Sequence, residues 1–155
     1  MKKFAIAIAA DHRGFKAKQE LIEYLQDFGH EVIDVGTDSG ESCDHPDYAF
    51  KAGELMIEGK AQRAIVICGS GNGMLIALSK VPGVMPFLPY DEEHTRTSRM
   101  HNDTNGISFG SDFMSVEKMK SILKVWLETD HIGGRYSRRR NKILEYERKK
   151  INNQS

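Results

Sequence analysis

The chain has 155 residues, one domain by length and enough for a sizeable hydrophobic core. Lysine plus arginine and aspartate plus glutamate number 22 each, so the net charge is zero, which argues against a general nucleic-acid or membrane-surface binder with its basic footprint. The cysteines Cys43 and Cys68 make no disulfide framework and fit a reducing cytosol, and no apolar run approaches bilayer-spanning length, so a cytoplasmic protein is expected.

Taken in chain order, Met1-Lys2-Lys3 followed by an apolar run mimics a short signal peptide. The run is at the lower limit of length and passes at once into Asp11-His12-Arg13, so residues 4–9 read as a buried first strand. A helix over 15–28 follows, with Leu21, Ile22, Leu25 and Phe28 at helical spacing and Gly29 as its stop. Next come a strand over 31–35 and a helix over 46–58, with Pro46 in the first turn, where a missing N–H costs nothing. Strands over 64–68, 84–88 and 106–109 then alternate with helices over 73–80, 91–101 and 116–128. A last helix over about 137–151 follows Gly133-Gly134, is rich in arginine and lysine, and has no strand after it. It is expected to pack on a neighbouring chain, a solvated terminal helix being the plain alternative. No repeat, linker or low-complexity segment interrupts the pattern. Alternating strands and helices with short joins predict a single α/β domain over residues 1–155, with a parallel sheet covered on both faces. Ligands of such sheets bind beyond the carboxyl ends of the strands, which places Asp11-His12, residues 42–45 and residues 68–73 on one rim.

Ala64-Ile65-Val66-Ile67-Cys68-Gly69-Ser70-Gly71-Asn72-Gly73 is the most informative stretch: a strand entering a glycine-rich turn with a thiol at the hinge. Alternate glycines let backbone N–H groups converge on one point, and the helix that follows turns its positive end toward it. A cysteine on such a rim can lose its proton near neutral pH, so the combination points to chemistry on an anionic small molecule. A mere tight connection beside an inert core cysteine is the competing reading. The G-x-G-x-G spacing lacks the dinucleotide fingerprint and its distal acid, and no Gly-Lys-Ser/Thr closes a P-loop. Cys43, Asp44, His45 and Asp47 cluster in sequence, but their spacing follows no zinc pattern, and no metal is expected.

Six ordered pieces resemble one family. They are Ala10-Asp11-His12-Arg13-Gly14-Phe15, Val32-Ile33-Asp34-Val35-Gly36-Thr37, Asp44-His45-Pro46-Asp47-Tyr48-Ala49, the Ile67–Gly73 turn, Ser98-Arg99-Met100-His101-Asn102-Asp103-Thr104-Asn105 and Gly133-Gly134-Arg135. In this order the chain is similar to ribose-5-phosphate isomerase type B and the related galactose-6-phosphate isomerase subunits. The resemblance implies a flavodoxin-like (Rossmann-like) three-layer sandwich with a five-stranded parallel sheet and a C-terminal arm from about residue 132. It also implies a homodimer or dimer of dimers, with active sites at the subunit interface and the arm reaching across it. The implied reaction is aldose–ketose interconversion of a phosphorylated sugar without metal or organic cofactor, ribose 5-phosphate to ribulose 5-phosphate of the pentose phosphate pathway.

Residue by residue, the resemblance makes Cys68 the base that moves a proton between C1 and C2 through a cis-enediolate. Some members carry a glutamate a few residues later; Met74 stands there, so Cys68 is the loop's one candidate. Gly69, Ser70, Gly71, Asn72 and Gly73 would supply donors to the enediolate oxygen, Ser70 also helping to relay protons. His101 matches the ring-opening histidine and Asn102 a partner of the sugar hydroxyls or enediolate. Asp11 would bind sugar hydroxyls and His12 face the phosphate, the alternative for the pair being an ordinary helix cap. Arg135 and Arg139 match the phosphate-gripping arginines, against a solvated charge run at residues 138–140. Three positions depart: Met85 and Asp112 stand where the family commonly has arginine, and His45 where it has tyrosine. Isomerisation of a six-carbon sugar (galactose or allose 6-phosphate) and a non-catalytic sugar-phosphate-binding subunit are therefore carried as alternatives, with a nucleotide-binding module behind them.

Overall fold

The apolar run after Lys3 forms the middle of the sheet, where alternate side chains meet helices on opposite faces. The structure, a computed structural model, describes residues 2–154; Met1 and Ser155, the ends of the predicted domain, lie outside the described residues. Five strands, β1 (Ala5–Ala10), β2 (Glu31–Asp34), β3 (Arg63–Cys68), β4 (Pro86–Phe87) and β5 (Gly106–Gly110), pair in parallel in the order β2-β1-β3-β5-β4. The left half of that order is the flavodoxin one and the last two strands are exchanged, so β5 lies directly beside β3. Register places Ile8 beside Ile65 and Cys68 beside Gly110.

Six helices surround the sheet: α1 (Phe15–Asp27), α2 (His45–Ile57), α3 (Asn72–Ser79), α4 (Glu92–Asn102), α5 (Val116–Glu128) and α6 (Arg135–Asn152). Ile6, Ile8, Ile65 and Ile67 face α1 and α5 in a thick core with Leu21, Leu25, Phe109 and Trp126. Ala7, Ala9 and Ala64 face α2 and α3 in a thin one with Ala49, Ala52 and Ala77. The residue alternation of a strand thus sorts large side chains to one layer and small ones to the other.

Local chemistry sets the element ends. Gly29 (φ 84°) ends α1, its N–H donating to the Gln26 carbonyl. Asp91 caps α4 by accepting from the His94 N–H at 2.8 Å, and Ser115 caps α5 through the Lys118 N–H at 3.2 Å. β4 is shorter than the run over 84–88, because Pro86 has no N–H and the Met85 N–H is taken by the Asn105 side chain at 2.6 Å. α6 starts at Arg135, two residues before its expected start, since Gly133 and Gly134 at positive φ turn the chain directly into the helix. Helix α6 lies along α4, and none of its residues is buried in this chain; Ile143 and Tyr146 are each more than half exposed. Among the described residues no helix is long and apolar enough to cross a membrane.

Candidate active site

Cys68 is the last residue of β3, so its thiol stands at the carboxyl rim, buried on the α2–α3 side. The turn after it doubles back: the Gly71 N–H donates to the Cys68 sulfur at 3.2 Å. Gly71 has φ 80°, and a Cβ there would lie 2.6 Å from Leu88 Cδ1 and 3.0 Å from the Gly110 nitrogen, so glycine is required for both backbone shape and space. The Ser70 hydroxyl accepts from the Asn72 N–H at 3.1 Å and the Ser108 hydroxyl donates to the Gly71 carbonyl at 2.6 Å. Two of the loop's five N–H groups are therefore engaged inside it, leaving those of Gly69, Ser70 and Gly73 as the remaining donors of the predicted cradle. His45 lies against Gly73, whose Cβ would come within 2.7 Å of the imidazole Nε2.

The rim joins three connections. After β1, buried Asp11 accepts at Oδ1 from the N–H groups of Arg13 (2.9 Å) and Gly14 (3.1 Å), which is the helix-entry turn weighed as its plain role. His12 accepts at Nδ1 from the Cys43 N–H at 3.3 Å, which ties this turn to the loop before α2 and assigns the proton of the neutral ring to Nε2. After β5, the Ser111 and Asp112 N–H groups donate to the carbonyls of Cys68 and Gly69, both at 2.9 Å. Asp112 and Arg13 form an ion pair across this rim. The expected grouping of Asp11, His12, Cys68, Ser70 and the glycine turn at one edge is what the fold produces.

His101, Asn102, Arg135 and Arg139 are elsewhere. Helix α4 enters from the carboxyl rim and runs back for eleven residues, about 16 Å, so His101 and Asn102 at its end sit beside the amino ends of the strands. The Asn105 carbonyl, three residues on, accepts from the Ala64 N–H at 3.0 Å at the start of β3, while the Asn105 N–H donates to the Met85 carbonyl at 3.1 Å. At this opposite edge the His101 ring stacks on Tyr136, centroids 4.1 Å apart and planes 1° from parallel. The Arg135 and Arg139 guanidinium carbons lie 5.1 and 5.7 Å from the same phenol ring centroid. Asp103 (φ 50°) ends α4 and accepts from buried Arg99 at 2.9 Å and from Arg140 of α6. His131 donates through Nδ1 to the Met100 carbonyl and accepts at Nε2 from the Ser137 hydroxyl, both at 2.8 Å, stapling the segment before α6 to α4. Met85 also belongs to this edge, lining with Ser98, Asn102 and Ile143 a cavity of about 410 Å³ between β4, α4 and α6. Sequence reasoning named the histidine, the asparagine and the arginines but missed Tyr136, Asp103 and His131; the aromatic residue directly after Arg135 was the available signal. Among the described residues, no group of three or more histidine, cysteine or acidic side chains is placed to hold a metal ion.

A parallel α/β sheet thus carries a thiol in a glycine turn at one edge and a histidine–arginine group at the other, and the sequence that builds both edges has known relatives. The pattern of the Ribose/Galactose Isomerase family matches residues 6–143. Ribose-5-phosphate isomerase B of Escherichia coli K12 is 38% identical over 150 residues, covering 97% of this chain and 99% of the relative. D-erythrulose-4-phosphate isomerase of Pectobacterium atrosepticum is 33% identical over 144 residues, 92% of this chain and 95% of that one. Among solved structures, ribose-5-phosphate isomerase B of Clostridium thermocellum superposes with a TM-score of 0.91 at 39% identity, over 94% of this chain and 98% of its own. The chain belongs to the ribose/galactose isomerase family. At that level it is a sugar-phosphate isomerase.

Proposed function

We propose that this chain interconverts ribose 5-phosphate and ribulose 5-phosphate at sites shared between two copies of itself, in a homodimer or dimer of dimers. The reading rests on one observation above all: the Cys68 thiol, buried at the rim, faces the N–H of Gly71 within a glycine turn. His101 hands a proton to the furanose ring oxygen as the C1 hydroxyl loses its own, giving the open aldehyde. The Cys68 thiolate then removes the C2 proton to give the cis-enediolate, whose oxygens are met by the N–H groups of Gly69, Ser70 and Gly73 and by Asn102. Returning the proton to C1, while the hydroxyl proton moves from O2 to O1, yields the ketose with no net gain or loss of electrons. Asp11 holds sugar hydroxyls, Ser70 relays hydroxyl protons, His12 faces the phosphate, and Gly71 and Asn72 keep the turn in shape. Arg135 and Arg139 grip the phosphate through charge-assisted bonds. Since Cys68 and His101 stand at opposite edges of one sheet, the acid–base pair closes only when α4 and α6 of a second copy reach the first copy's rim.

The test is a turnover assay of the purified protein on ribose 5-phosphate beside galactose 6-phosphate, allose 6-phosphate and erythrulose 4-phosphate. The fastest turnover is expected on ribose 5-phosphate. Activity confined to another sugar would make His45, Met85 and Asp112 the substrate determinants, and silence on all four would favour a binding subunit.

A further inference from the structure

The imidazole assigned to ring opening is carried by the last residue but one of α4. What covers it is Tyr136, coplanar within 1° at a centroid separation of 4.1 Å. The stack occupies a face of the imidazole and leaves both nitrogens at the ring edge, the part a proton transfer needs. Tyr136 is itself fixed. Its N–H donates to the Gly133 carbonyl at 3.2 Å, its hydroxyl accepts from Arg135 Nη2 at 3.2 Å, and Arg135 and Arg139 both lie against its ring. The helix that carries it is pinned to α4 by the Arg140–Asp103 ion pair and by His131, which bridges Met100 and Ser137.

We propose that Tyr136 is the positioning residue for ring opening, its phenol ring setting the plane of the His101 imidazole and holding Arg135 and Arg139 beside it. Proton donor and phosphate grip thereby become one rigid unit, which a flexible arginine pair and a helix-end histidine would not form by themselves. The inference rests on the roles given above to His101 and the two arginines. A reorientation of one catalytic group by an ångström is enough to slow a step by orders of magnitude, so the stack is worth testing directly.

Two readouts separate the steps. Turnover of ribose 5-phosphate needs ring opening, whereas solvent deuterium exchange at C1 of ribulose 5-phosphate, an open-chain ketose, needs only the proton transfer at Cys68. Tyr136→Ala and Tyr136→Leu are expected to lower kcat on ribose 5-phosphate by about tenfold or more and to raise KM, with exchange at saturating ribulose 5-phosphate within about twofold of the wild type. Tyr136→Phe, which keeps the stacked ring, should recover turnover to within about threefold. Wild-type turnover in Tyr136→Ala, or equal loss of turnover and exchange in both Tyr136→Ala and Tyr136→Leu, would overturn the inference. His101→Ala separates the two levels of the argument. If it keeps full turnover, the reading of His101 fails and takes the inference with it; if it is slow while Tyr136→Ala is not, the inference alone fails.

Discussion

Arg13 and Asp112, ninety-nine positions apart in sequence, close an ion pair directly over Gly69, whose Cβ would come within 2.9 Å of both the Arg13 Cδ and the Asp112 Oδ2. A cation at the mouth of the Cys68 turn is thus committed to a carboxylate instead of standing open to a phosphorylated ligand. Both side chains remain about half exposed, so the pair is weak enough to be redirected by a stronger anion. Asp112→Asn, which frees the guanidinium and removes a negative charge, is expected to lower KM for sugar phosphate by about threefold and to steepen its salt dependence. Steady-state kinetics at two ionic strengths checks this; an unchanged or raised KM would show that Arg13 serves only the loop.

The opposite placement of Cys68 and His101 predicts complementation. Cys68→Ala and His101→Ala should each lose at least about a hundredfold in turnover as pure proteins while keeping the fold by circular dichroism. Unfolded together in equal amounts and refolded, they should recover about one quarter of wild-type activity, since half the dimers are mixed and each mixed dimer holds one intact site. A mixture as inactive as its components would mean that the site closes within one chain.

Lys18 is fully buried in α1, and its ammonium reaches Asp34 Oδ1 at 2.6 Å at the end of β2. Removing the carboxylate strands a charge in the core. Asp34→Ala should cost about 3 kcal/mol in urea denaturation, while Lys18→Met, which deletes the charge and keeps the bulk, should cost clearly less. Equal losses would locate the effect in packing alone.

His30 supplies the pH dependence. Burial, with the Lys3 cation next in effect, pushes its imidazole below the ordinary value near 6.5, and its Nδ1 accepts from the Phe4 N–H at 3.2 Å, a bond that protonation there would break. The unfolded chain takes up this proton before the folded one does. Its contribution to stability is therefore full above about pH 6.5 and lost as pH falls from there through the lower folded value. The melting temperature should drop on acidification over that interval, and His30→Asn, which keeps an acceptor and cannot titrate, should flatten the drop.

Much of this was readable in the chain because the relevant signals are local. The run from Phe4 to Ala10 can only be a central strand, Gly29 and Pro46 punctuate helices, and the rule for parallel sheets puts Asp11 and Cys68 on one rim. The strand over 84–88 was legible but its short length was not, because at Met85 the pairing is replaced by a side chain, Asn105, that no periodicity exposes. The Arg13–Asp112 pair and the His101–Tyr136 stack were out of reach for the same reason: sequence gives residue types at a loop or helix end, not which distant side chain turns to meet them. The separation of His101 from Cys68 was within reach, since a helix following a parallel strand must run back toward the amino edge.

The sorting of isoleucines to one layer and alanines to the other gives the two sides of the sheet opposite vulnerabilities. Around Ile8 and Ile65 the hazard is removal, and Ile8→Ala should open a void costing about 2–5 kcal/mol. At Ala7, Ala9 and Gly53 themselves there is almost nothing to remove; a Cβ at Gly53 would come within 2.6 Å of Val81, and the hazard at these positions is one carbon too many. The Cys68 turn grows out of that second, close-set layer. Tolerance at these strand and glycine positions therefore changes sign across the sheet, and the small residues on the side that carries the thiol are the ones that cannot be enlarged.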